Sequence, residues 1–137
     1  MVKVSAGTGI QSFVYDFAKD KGAIGSINSN LIMPRNAVVL QCISLIAVTL
    51  TGNPILTKVN IGIDASLNFY QQYGLQTAGT VISNVINLMP PLDATFKVKP
   101  VLFSITGAPL TGGKIIVSFL YMLDSMYCGD IFPFLNP

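Results

Sequence analysis

Ala37-Val38-Val39-Leu40-Gln41-Cys42-Ile43-Ser44-Leu45-Ile46-Ala47-Val48-Thr49-Leu50 is a fourteen-residue run interrupted by no charge. A membrane-crossing helix needs about 20 apolar residues, so the run is too short to span a bilayer. Upstream, Pro34-Arg35-Asn36 blocks its extension, and downstream Thr51-Gly52-Asn53-Pro54 is turn chemistry. Its β-branched residues favour a strand over a helix. Apolar side chains fall at both parities, the mark of a strand covered on both sides. In an antiparallel domain that predicts a central strand with one face on the core and the other on a second subunit or layer.

Working outward, residues 10–17 alternate, with Phe13, Tyr15 and Phe17 on one face and Ser12, Val14 and Asp16 on the other. Residues 19–22 read as a turn, and residues 23–27 as a short strand. Residues 57–63, with Val59, Ile61 and Ile63 on one face, read as the hairpin partner of the long run. Asp64 is a good helix N-cap and predicts a helical turn. Residues 68–79, rich in Gln and Asn, read as a surface loop, with Tyr70, Gln72 and Tyr73 as a candidate binding loop. Residues 81–88, 95–99 and 101–106 read as strands. Residues 107–113 frame a hairpin loop before a last, almost wholly apolar strand at residues 114–123, itself central or interfacial. Short strands separated by Gly, Pro and Asn predict an all-β fold: a single antiparallel β-sandwich, with the jelly roll as candidate topology.

The composition says what such a sandwich is for. Of 137 residues, 51% are hydrophobic and 10% charged, against about 25% charged in an ordinary soluble domain. A chain so poor in charge is expected to bury part of its surface against other chains. The eight basic residues are scattered, without the dense stripe of a nucleic-acid binder. Residues 1–9 lack the apolar run of a signal peptide, which predicts assembly in a cytoplasm. Residues 1–124 are read as the sandwich. Residues 125–137 are read as an apolar tail, whose Ile131, Phe132, Phe134 and Leu135 suit either folding back or docking on a neighbour. Val38, Leu40 and Ile46 of the long strand are the other predicted contact residues.

Little supports catalysis. There is no His, and the six acids are single Asp residues with no paired motif. Cys42 and Cys128 without His do not suit zinc. They read as buried thiols, with a Cys42–Cys128 bond left open. No enzyme activity, cofactor or metal is expected.

Tyr15-Asp16-Phe17-Ala18, the Asp20-Lys21-Gly22-Ala23 turn, Met33-Pro34-Arg35-Asn36-Ala37-Val38 and Leu110-Thr111-Gly112-Gly113-Lys114 together resemble a pattern in small bacteriophage virion proteins of the head-fibre, capsid-decoration and auxiliary-capsid type. The chain departs from it at Asn53-Pro54-Ile55-Leu56, where similar proteins continue with Gly, Ser and Ala. The resemblance implies a virion protein assembled in a bacterial cytoplasm. It also implies self-association, for instance as a trimer, and contact with a major capsid protein or other virion proteins. The function expected from it is decoration or cementing of the shell. The alternative is a receptor- or glycan-binding module of a head fibre or tail.

Overall fold

The computed structural model describes residues 1–5 and 9–123. The elements run β1 (Val2–Ser5), β2 (Ile10–Asp16), α1 (Phe17–Asp20), β3 (Gly25–Asn28), β4 (Ala37–Gly52), β5 (Lys58–Ile63), β6 (Ser66–Tyr73), β7 (Val81–Leu88), β8 (Leu102–Thr106) and β9 (Leu110–Leu123). They form a five-stranded sheet in the order β1-β2-β9-β4-β7 and a four-stranded sheet in the order β3-β8-β5-β6.

One rule generates this order. Strands β2 and β9, β3 and β8, β4 and β7, and β5 and β6 pair antiparallel as nested rungs of a single long hairpin with β5–β6 at its tip. Rolling that hairpin adds the pairs β4–β9 and β5–β8. The result is a jelly roll. The β5–β6 tip is a two-residue turn at Asp64-Ala65, not the helical turn expected from Asp64. Close by, the backbone of Gly62 lies where a Cβ would strike the carbonyl oxygens of Ser66 and Leu67, so only glycine fits that irregular step.

Two expected hairpins are sheet crossings instead. β4 and β5 lie in different sheets, as do β8 and β9. The turn after β4 is held by Asn53, whose side-chain oxygen accepts from the amides of Ile55 and Leu56 at 3.0 Å each. Gly107 turns the chain out of β8 with φ 81°, and a Cβ there would collide with the Leu56 carbonyl. Gly112 and Gly113 belong to β9 rather than to a loop. Residues 19–22 are not a simple turn: Phe17 opens α1, and the Asp16 carboxylate caps it by accepting from the Ala18 amide at 3.1 Å. Residues 95–99 form no strand, only an isolated bridge between Leu92 and Val98. There Asp93 accepts from the Thr95 hydroxyl and from the Thr95 and Lys97 amides, and these bonds hold its carboxyl below the usual 3.8.

The core lies between the sheets. Phe13 and Tyr15 point inward from β2, as their alternation predicts, and meet Phe103 of β8. The Tyr15 ring stacks on Phe103 at 4.4 Å, and Phe13 meets it edge-on at 6.5 Å. Tyr70 of β6 meets Phe119 of β9 edge-on at 4.9 Å. These pairs join the two sheets. Gln71 is the polar counterpart. It is 2% exposed, accepts from the Ser44 hydroxyl, and donates to the carbonyls of Cys42 and Ile82 and to the Asn84 side chain.

Burial of neutral acids sets a stability limit at high pH. Burial, with help from Asp20 and Asp16, pushes the Tyr15 hydroxyl from 10.0 up to about 12. Burial also raises Cys42 and Tyr70. A raised folded pKa means the unfolded chain releases its proton first. The stabilisation is therefore complete below the ordinary values of 9.0 for Cys and 10.0 for Tyr, and it is lost as pH climbs through the raised values. The urea midpoint should be level from about pH 7 to 9 and fall above about pH 10. A midpoint unchanged at about pH 11 would contradict this reading of the core.

Candidate interaction surfaces

The two sheets turn unlike faces outward. Because side chains alternate, strand register gives each outer row directly. Across the four-stranded sheet one outer row reads Ser26–Ser104–Asn60–Gln72. Its hydroxyls and amides bond along the row: Ser26 to Ser104 at 2.7 Å, and Gln72 to Asn60 at 2.7 Å. Asn60 also donates to Thr106 at 2.9 Å. Ser26 and Gln72 at the ends of the row are exposed, whereas Ser104 and Asn60 between them are 1% and 2% exposed and are satisfied by these bonds.

Across the five-stranded sheet one outer row reads Val2–Val14–Ile116–Leu45–Val81, aliphatic on all five strands. A second reads Ile10–Leu120–Gln41–Val85, and Met122 lies beside Val38. Asp16 and Lys114 are cross-strand neighbours at one end, and Lys3 stands opposite Phe13 on the edge strand β1. Val2 is 50% exposed, Leu45 38% and Val81 58%. Between these two rows the same face carries Ser12–Ser118–Ile43–Ser83, so aliphatic bands flank a row of serines, and exposed apolar bands of this kind mark a candidate protein–protein contact surface.

The predicted contact residues divide on this geometry. Val38 and Leu40 are half-buried and, with Asn87 and Met122, line a shallow cleft of about 250 Å³ on the apolar face. Ile46 is fully buried in the core and has no part in that face. Irregular steps in β4 at Val39/Gln41 and Ile46/Val48 explain the difference. Each bulge reverses the parity of the residues beyond it, so the inward set is Ala37 and Val39, then Cys42, Ser44 and Ile46. The mixed parity of the run reflects bulges that keep one face of the strand on the core. Ile131, Phe132, Phe134, Leu135 and Cys128 lie outside the described residues.

The first half of the expected binding loop is strand. β6 runs to Tyr73, and Tyr70 and Tyr73 are core residues at 2% and 8% exposure. The hydroxyls of these two tyrosines have no hydrogen-bond partner among the described residues. Only Gln72 of the three faces outward, within the polar row. No group of three acidic, Cys or His side chains that could hold a metal ion occurs among the described residues. No helix among them is long and apolar enough to cross a membrane.

The nested-hairpin topology has counterparts among solved structures. The same fold occurs in two phage capsids. One match is a chain of the acid-stable capsid of Helicobacter pylori bacteriophage KHP30: TM-score 0.51, 18% identity, covering 89% of this chain and 92% of that one. The other is a chain of the cyanophage Pam1 capsid asymmetric unit: TM-score 0.58, 16% identity, covering 90% and 92%. At these identities the likeness is one of fold. No protein-family model and no curated protein sequence matches the chain. Sequence reasoning marked the apolar strand at residues 114–123 as central or interfacial, and β9 is central in its sheet. It did not name Val2, Val14, Val81 and Val85 as contact residues, since only strand pairing brings them onto one face with Ile116 and Leu45.

Proposed function

We propose that this chain is a structural component of a phage virion, an auxiliary capsid protein that self-associates and decorates or cements the shell. The observation that carries the reading is the match to chains of two phage-capsid structures over about nine-tenths of each chain. The apolar outer sheet face supports it independently, because a module repeated many times on a shell gains at every copy from a charge-poor contact surface. The proposed partners are further copies of the chain and the major capsid protein. Residues 125–137, with Ile131, Phe132, Phe134 and Leu135, are proposed as the segment that docks on the shell. The fibre or tail receptor-binding alternative has lost its binding loop, since Tyr70 and Tyr73 are buried.

The test is co-sedimentation of the purified chain with shells assembled without it. Saturable binding at a fixed ratio to the shell protein is expected. Binding that stays absent across a wide concentration range contradicts the shell role. Deletion of residues 125–137 is expected to abolish co-sedimentation. Unchanged co-sedimentation of the truncated chain would remove the tail from the account while leaving the shell role standing.

A further inference from the structure

Leu123 ends β9 opposite Ala37, so the chain leaves the sandwich beside the turn that Pro34 and Ala37 close with a 3.1 Å backbone bond. At that end of the roll a groove of about 440 Å³ lies between this turn and the loop at residues 91–99. Ile32 and Val98 line it. Phe96 lines it too and is 68% exposed. The loop holds that ring out. Phe96 has φ 61°, a left-handed conformation that a bulky residue rarely adopts. Backbone bonds from the Phe96 amide to Asp93 at 3.0 Å and from the Asp93 amide to Lys97 at 2.8 Å fix it there. Arg35 and Lys97 are the groove's cations, both exposed and neither in an ion pair among the described residues. Asp93 offsets one of them, so two cations against one carboxylate leave the groove positive. The Asp93 carboxylate already accepts three bonds from its own loop.

We infer that this groove seats the chain's own Asp130-Ile131-Phe132-Pro133-Phe134-Leu135 until a shell takes that segment. Three arguments favour this occupant over a second copy or a foreign chain. The first is reach. Arg35 is two residues from Ala37, which places the groove on the order of 10 Å from Leu123. Residues 124–129 extend to about 20 Å, which is enough. The second is chemistry. Residues 124–137 hold Asp124 and Asp130 and no Lys or Arg, which suits a cationic groove. The apolar side chains after Asp130 can cover Ile32, Phe96 and Val98. The third is concentration. A short linker holds its segment at about millimolar effective concentration, so a separate chain competes poorly for the same seat.

Groove and shell then compete for one segment, and the seat covers part of an apolar tail while no shell is present. Only the competition rests on the shell-docking role proposed above. The seat itself is a property of the free chain.

The chain contains no Trp, so Phe134→Trp supplies a fluorescent probe without background. In the free chain its emission is expected to be blue-shifted, partly shielded from acrylamide and independent of protein concentration. Phe96→Asn, added to it, removes the aromatic anchor but keeps a residue that tolerates positive φ, so the loop is preserved. It should lower the ratio of seated to unseated segment about tenfold and move the emission towards that of indole in water. Asp130→Lys should act in the same direction. Val85→Ser, on the outer face of the five-stranded sheet, should change nothing. Phe132→Trp repeats the measurement, so that one ill-fitting probe does not decide it. Emission from both probes like that of indole in water overturns the inference. Shielding that grows with protein concentration also overturns it, placing the segment on a second copy. Shielding lost with Val85→Ser but kept with Phe96→Asn overturns it too, placing the segment on the sheet face. In co-sedimentation, Phe96→Asn alone is expected to bind shells several-fold more tightly than wild type, because no tail is held back. Unchanged binding would mean that groove and shell do not compete. The fluorescence needs no shell, so failure of the seat and failure of the shell role are separate results.

Discussion

Phe103→Ala is expected to lower the unfolding free energy by about 3–5 kcal/mol. Phe103 is fully buried and stands between the rings of Phe13 and Tyr15. It comes from β8 of the four-stranded sheet, while its partners come from β2 of the five-stranded sheet. Truncation removes the apolar transfer term and leaves a void that two sheets of paired backbone cannot close. The loss corresponds to a drop in melting temperature of about 10–20 °C for a domain of this size. Phe103→Leu should lose much less, since it keeps most of the volume. Thermal melts of the three chains decide the matter, and a Phe103→Ala melt within a few degrees of wild type would mean the sheets are not joined there.

Gln71→Glu should be comparably damaging at neutral pH and largely repaired by acid. Three acceptors, the Cys42 and Ile82 carbonyls and the Asn84 side-chain oxygen, lie 3.0–3.3 Å from the Gln71 amide nitrogen. A carboxylate there offers no proton to any of them and adds a buried charge, a loss of about 3–5 kcal/mol. The variant must raise its folded pKa to survive. Its deficit against wild type is therefore full well above that raised value. It shrinks as pH falls towards about 4.3, the ordinary Glu value. Urea midpoints of both chains at neutral pH and near pH 4–5 measure the difference. A deficit independent of pH would mean that lost packing, not the charge, is responsible.

These two residues also mark how far the sequence could be read. Phe13, Tyr15 and the long run of β4 announced themselves by alternation and β-branching, which are local signals. β2, β5, β7 and β9 were legible in the same way, to within a few residues. The pairing of strands was not. Gly- and Pro-rich turns at residues 51–54 and 107–113 look like hairpin turns, but a chain that crosses between sheets uses the same residues. Only contacts distant in sequence decide which it is. β6 was hidden for a related reason. Gln71 and its neighbours read as loop because a polar residue is at home in a core only when distant groups satisfy it, and Ser44, Ile82 and Asn84 come from other strands. Of the candidate contact residues, Val38 and Leu40 were legible from apolar composition. Ile46 was not, because the bulges that turn it inward leave no mark on the apolar pattern.

The central claim is that the chain is a shell component of a virion. Quantitative mass spectrometry of purified virions tests it most directly. The predicted result is a copy number equal to that of the major shell protein or a simple fraction of it. Absence of the chain from the purified particle would contradict the claim and leave a jelly roll whose apolar face serves some other assembly.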